Sequence, residues 1–202
     1  MSDCDCEVEI ASREQSRVLW ILLSINAVMF VAEMTAGVLS DSTGLIADSL
    51  DMLADATVYG IGLYAVGRAV HAKIRAASLS GIFQVLLALG VAIEVARRLL
   101  FGSEPEALFM IAVSLVALLA NVVCLALIAK HRDGEVHMRA SWIFSKNDVI
   151  ANVGVIVAGT LVHFLASPLP DLAIGALISF VVLRGGLAIV ADARAEKARL
   201  VA

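Results

Sequence analysis

The sequence predicts an all-α membrane protein of six transmembrane helices with both termini in the cytoplasm, and three observations predict it. Hydrophobic residues make up 60% of the 202 positions and the mean hydropathy is +0.92, whereas a soluble domain is typically about 45–50% apolar. Apolar stretches of about 20 residues, the length that crosses a bilayer, recur six times along the chain. Lys and Arg gather at alternate connections, the asymmetry that orients membrane helices with their basic flanks inside.

Taken in order, the first stretch runs from Val18 to Val38 behind Arg13 and Arg17. The head Met1 to Glu7 is acidic and has no basic n-region, so no cleavable signal peptide is expected and the first helix itself serves as the targeting signal. The second stretch, Thr43 to Val66, is followed by Arg68, Lys73 and Arg75. The third, Ala77 to Phe101, carries Arg97 and Arg98 at its far edge. The fourth, Leu108 to Ala129, leads into Lys130, Arg132 and Arg139. The fifth spans Trp142 to Ala166, and the sixth, Leu172 to Val190, is followed by Arg194, Lys197 and Arg199. The connections Leu39 to Ser42 and Ser167 to Asp171 contain neither Lys nor Arg. The expected organisation is a polar cytoplasmic head (1–17), a six-helix transmembrane domain (18–190) and a short cytoplasmic tail (191–202), so any activity must be built from the helices.

The formal net charge of −4 points to no partner, because most charges fall in loops or at helix ends. Three cysteines are too few for a disulfide framework. Cys4 and Cys6, flanking Asp5, are expected as thiols; they offer a partial site for a soft metal, although the chance composition of a polar tail explains them as well. Cys124 lies in a run of Val, Leu and Ala and reads as packing. His131 and His137 make a poor pair between basic neighbours, while His71 and His163 sit at helix ends. The chain has no phosphate-binding Gly-rich loop, no nucleophile–base pattern and no basic aromatic patch, which argues against an ATP-driven pump, an intramembrane hydrolase and nucleic-acid binding. Neither enzymatic activity nor a resident cofactor is expected.

The chemistry is concentrated in the second helix. Asp48, Asp51 and Asp55 occupy one helical face inside an apolar stretch. A carboxylate at the bilayer centre costs roughly 2.5–3.5 kcal/mol, while each strong apolar residue returns only about 0.3–0.6. Three of them must be compensated inside the protein by protons, metal cations or water. On the fifth helix Asp148 and Asn152, four residues apart, share a face. Asn26 and Glu33 on the first helix, and Asn121 on the fourth, fit interhelical hydrogen bonding equally well. At about 1.5 Å per residue, Asp55 lies roughly 16 Å from the cytoplasmic end of its helix, Asp148 about 9 Å and Asn152 about 15 Å, depths compatible with one cluster. Carboxylates and an amide carbonyl are hard oxygen ligands suited to divalent Mn, Fe, Co or Zn. Because such ligands must be deprotonated to bind, metal and protons compete.

These residues carry a resemblance. The run from Asn26 to Asp55, NAVMFVAEMTAGVLSDSTGLIADSLDMLAD, is similar to the first two helices of the cation diffusion facilitator family. Arg75-Ala76, Arg98 with the Pro105 loop, Asn121, Arg139-Ala140-Ser141 and the stretch Asp148 to Ile156 extend the match over about residues 18–190. The resemblance implies a six-helix exporter of divalent metal ions that works by alternating access with protons moving the other way. It implies a transport site formed by His or Asp four residues before an Asp on helix two, and the same on helix five. By position these are Asp51, Asp55, Asp148 and Phe144, and Phe144 cannot ligate a metal. Asn152, Asp48 or water would complete the shell, which favours a harder ion of higher coordination over tetrahedral zinc. The family commonly carries a cytoplasmic C-terminal domain that helps it dimerise; with only a short tail here, a homodimer would rest on the helices.

The expected function is therefore divalent cation efflux, with metal ions, protons and the lipid bilayer as partners and the bacterial inner membrane as location. The alternatives are a proton-coupled exporter of organic cations, which would be expected to line its cavity with aromatics, and a membrane protein that binds or senses metal without moving it.

Overall fold

The computed structural model describes residues 3–65, 70–130 and 136–200, which form six helices: α1 (Asp3–Leu39), α2 (Thr43–Ala65), α3 (Val70–Phe101), α4 (Ala107–Ala129), α5 (Val136–Leu165) and α6 (Leu169–Arg199). Each expected apolar stretch falls on one helix. α1, α3, α5 and α6 continue beyond it into polar flanks, so the helical signal outlasts the apolar one. Among the described residues, five helices are long and apolar enough to cross a bilayer, over Ser16–Leu39, Ala77–Phe101, Ala107–Ala129, Ser145–Leu165 and Leu169–Arg199. α2 has comparable length at 23 residues but carries the three aspartates.

The burial pattern is inverted relative to a soluble protein. Val28, Val31, Leu86, Leu119, Phe164 and Leu177 are exposed, whereas Asn26, Glu33, Asp48, Asp55, Asn121, Asp148 and Asn152 are buried. An outer surface this rich in large apolar side chains is one that lipid covers. α2 holds the centre, packed against α1, α3, α5 and α6. Its seam with α1 is close because small residues let the backbones approach: a Cβ added at Gly37 would lie 2.9 Å from the Ile46 backbone nitrogen. Farther along the same antiparallel seam Gly60 faces Leu23 and Gly62 faces Leu19.

One end of the bundle is knit together by the short connections 40–42, 102–106 and 166–168. α1 stops at Leu39, and two residues on Asp41 takes a left-handed φ of 50° that a short polar side chain tolerates. That side chain then serves two neighbours, pairing through Oδ1 with Arg98 Nη2 at 3.0 Å and accepting from the Glu104 amide at 2.8 Å. Arg98 also donates to the Asp41 carbonyl and to Glu94 Oε1, the latter at 2.7 Å, and Arg97 forks onto the same glutamate. Both arginines at this end are thus paired with acids. The Glu106 amide donates to the Ser40 carbonyl at 2.9 Å. This end is called the loop end below; the segments leading to both termini lie at the other, the terminal end.

Candidate metal site

Helical spacing turns Asp51 and Asp55 to one side of α2 and Asp148 to the facing side of α5. Each aspartate offers a carboxylate oxygen, and these atoms all lie within 4.8 Å of one another. Asp55 and Asp148 are buried, and Asp51 is half-buried. One Asp148 oxygen, Oδ2, accepts no hydrogen bond from the described residues. The three carboxylates expected to meet are therefore together.

Asn152 stands one turn from Asp148 toward the loop end. Its Nδ2 donates to the Asp148 carbonyl at 2.8 Å, which leaves Oδ1 as the buried, unpartnered acceptor. That fixed amide orientation presents the atom a cation would take. Asp48 is buried one turn from Asp51 toward the loop end and is not a member of the three-carboxylate group. The side chains of Phe144, His137, Cys4 and Cys6, and all of His131, lie outside the described residues. His71 and His163 are exposed, the latter edge-on to Phe164 with ring centroids 5.5 Å apart.

Four further residues shape the site. The Tyr59 hydroxyl donates to Asp55 Oδ2 at 3.1 Å and lies 3.2 Å from Ser145 Oγ, tying α2 to α5 one turn on the terminal side of the cluster. Beyond it the interior is filled by Leu19, Leu22, Cys124 and Ile128. Gln84 of α3 and Asn147 of α5 line a small cavity together with Asp51, Asp55 and Asp148. Tyr59 and Ser145 were legible in principle, as polar residues four after Asp55 and three before Asp148 on the same faces. Gln84 is a lone amide in an apolar stretch, the same signal that singles out Asn121.

Three carboxylates, with the Tyr59 hydroxyl on one of them, form an all-oxygen group, the chemistry that would suit a hard or borderline divalent cation. Because Tyr59 orients Asp55, Tyr59→Phe is expected to weaken Mn(II) binding by about tenfold, the usual scale for losing a group that positions a ligand. Isothermal titration of the purified variant measures it, and unchanged affinity would remove Tyr59 from the site.

The family model of the cation efflux transmembrane domain matches residues 19–196. The chain is 27% identical over 179 residues to the metal cation efflux system protein CzcD of Cupriavidus metallidurans, and to the same extent to the cation efflux system protein CzcD of Alcaligenes sp. strain CT14. The aligned part covers 83% of this chain and 57% of each relative, so the chain spans a little over half the length of these relatives.

Proposed function

The chain belongs to the cation diffusion facilitator family, and from that membership together with the carboxylate cluster we propose that it exports a divalent metal cation, the ion binding between α2 and α5 at Asp51, Asp55 and Asp148 with Asn152 and Asp48 nearby. The observation that carries this reading is the convergence of three carboxylate oxygens to within 4.8 Å in the interior of an apolar bundle. Ionised together and without a cation they would repel one another. All six helices span the membrane in this reading, with α2 shielded from lipid by its neighbours and both termini on the cytoplasmic, basic side. The bacterial inner membrane is the corresponding location.

Transport proceeds by alternating access, and protons returning to the carboxylates in place of the metal drive the exchange. Because binding requires deprotonated ligands, metal affinity rises with pH, and an inward proton gradient accelerates export. A homodimer packed through the helices is part of the same reading. An organic-cation exporter is less well supported: apart from Tyr59, the described groups around the cluster are carboxylates, amides, the Ser145 hydroxyl and aliphatic side chains. The test is metal flux in proteoliposomes with a panel of Zn(II), Mn(II), Fe(II) and Co(II), with and without a pH gradient. Flux of at least one metal that responds to the gradient is the expected result; saturable binding without flux would make the protein a metal binder instead.

Selectivity is expected to depend on position 144, one helical turn before Asp148. An all-oxygen set favours harder ions with more ligands, and an added imidazole favours tetrahedral zinc. Phe144→His is expected to raise the Zn(II) to Mn(II) transport ratio at matched free-metal concentrations. An unchanged ratio would mean that residue 144 does not set the metal.

A further inference from the structure

The three-carboxylate cluster does not account for every unpartnered polar group in the interior. Both carboxylate oxygens of Glu33 are buried and accept no hydrogen bond from the described residues; the same is true of Asp48 Oδ2 and Ser114 Oγ. Glu33 and Ser114 have no exposed surface, and Asp48 is 1% exposed.

Helix register brings these three to one level. On the α1–α2 seam Gly37 meets Leu45 and Ile46, and Ser49 Oγ approaches Met34 Sδ at 3.9 Å, so the turn holding Glu33 faces the turn holding Asp48. On the α1–α4 seam, Leu39 and Ala36 share a groove with Phe109 and Val113, and one turn deeper Glu33 reaches the level of Ser114. Counted from the loop end, Glu33 lies at about 9 Å, Asp48 at about 7.5 Å and Ser114 at about 10.5 Å, against about 18 Å for Asp55. Their level therefore lies between the cluster and the loop end, and Asp51 is the next carboxylate along α2.

We propose that Glu33, Asp48 and Ser114 form a second cation subsite, which receives the divalent metal ion as it leaves the Asp51–Asp55–Asp148 cluster toward the loop end. This rests on the export reading above and adds a residue of α1 and one of α4 to the carboxylates that α2 and α5 supply. Two carboxylates match the charge of one divalent cation, and the serine hydroxyl and backbone carbonyls are further oxygen ligands of the kind such ions take. With fewer carboxylates than the cluster the subsite binds more weakly, which suits a release step. The buried acceptors are also accounted for, since polar groups without partners in an apolar interior are costly unless something coordinates them.

Mn(II) binding to the full chain in lipid nanodiscs, counted by equilibrium dialysis and electron paramagnetic resonance, tests the proposal. The wild type is expected to bind two ions per chain, and Glu33→Gln and Asp48→Asn one each. Asp55→Ala is expected to keep one ion, which is lost on adding Glu33→Gln. Glu33→Gln is nearly isosteric, and if it does not elute as a monodisperse species, Asp48→Asn carries the test alone. The proposal is overturned if the wild type binds one ion and Asp55→Ala abolishes binding, or if neither Glu33→Gln nor Asp48→Asn changes the count. If Asp55→Ala and Asp148→Ala leave both ions bound while Glu33→Gln removes one, the subsite stands and the cluster reading fails.

Discussion

Asp55→Ala and Asp148→Ala are each expected to abolish metal-dependent flux, a loss exceeding the 10–100-fold typical of removing a group that merely positions a ligand. The more telling expectation concerns stability. Two unit charges 4.8 Å apart repel by about 3.5 kcal/mol at an effective dielectric of about 20. Three carboxylates at such separations destabilise the metal-free bundle unless protons or a cation offset them. Removing one therefore relieves the metal-free protein while removing a ligand from the metal-bound one. The expected outcome is a melting temperature in chelator equal to or above that of wild type, together with loss of the rise that saturating Mn(II) produces in the wild type. A fall in melting temperature in chelator, with the metal-induced rise intact, would assign the aspartates a structural role and sink the shared site.

Much of this was legible because a membrane simplifies the reading. Lipid requires the backbone to satisfy its own hydrogen bonds, so each apolar stretch of spanning length implies one helix, and all six expected stretches fall on helices. The carboxylates were legible for a related reason: an Asp in an apolar stretch such as that of α2 has few ordinary explanations, and the three- and four-residue spacing of Asp48, Asp51 and Asp55 gave their shared face. Harder to see was which lone polar residue faces which. Glu33 and Ser114 sit on different helices, and their common level depends on the α1–α2 and α1–α4 registers, which are set by close approaches such as Gly37 on Ile46. The polar flanks of α1, α3, α5 and α6 escaped for the opposite reason, since hydropathy marks where lipid ends and not where helical hydrogen bonding does.

Asp171 stands out less in the sequence, because a single acid directly after Pro168 and Pro170 reads as an ordinary loop residue. It lies in the first turn of α6, fully buried, and caps another helix. Its Oδ1 accepts from Ser42 Oγ at 2.7 Å and from the Gly44 amide at 2.9 Å, and its Oδ2 accepts from the Thr43 amide at 2.7 Å. Ser42 Oγ in turn accepts from the Leu45 amide at 3.1 Å, so the free donors of the first turn of α2 end on one serine and one carboxylate. A negative charge at a helix N-terminus is also favoured by the helix dipole. Both glycines at the contact are required by its closeness: a Cβ on Gly44 would lie 3.0 Å from Asp171 Oδ1, and one on Gly175 would lie 2.8 Å from Thr43 Cγ2.

Asp171→Ala should therefore be among the most destabilising single changes in the bundle. It strands three buried donors, and hydrogen bonds to a charged acceptor contribute about 1.5–3 kcal/mol each before non-additivity, so a loss of about 3–5 kcal/mol is expected. Asp171→Asn keeps one acceptor oxygen and should recover part of it. Thermal unfolding in detergent, scored alongside Mn(II) affinity, separates this effect from the site. The start of α2 should loosen, and Asp51 and Asp55, two to three turns along the same helix, should keep measurable Mn(II) affinity below the melting temperature. An alanine variant as stable as the wild type would show that water satisfies the α2 N-terminus and that the α2–α6 contact does not depend on this carboxylate.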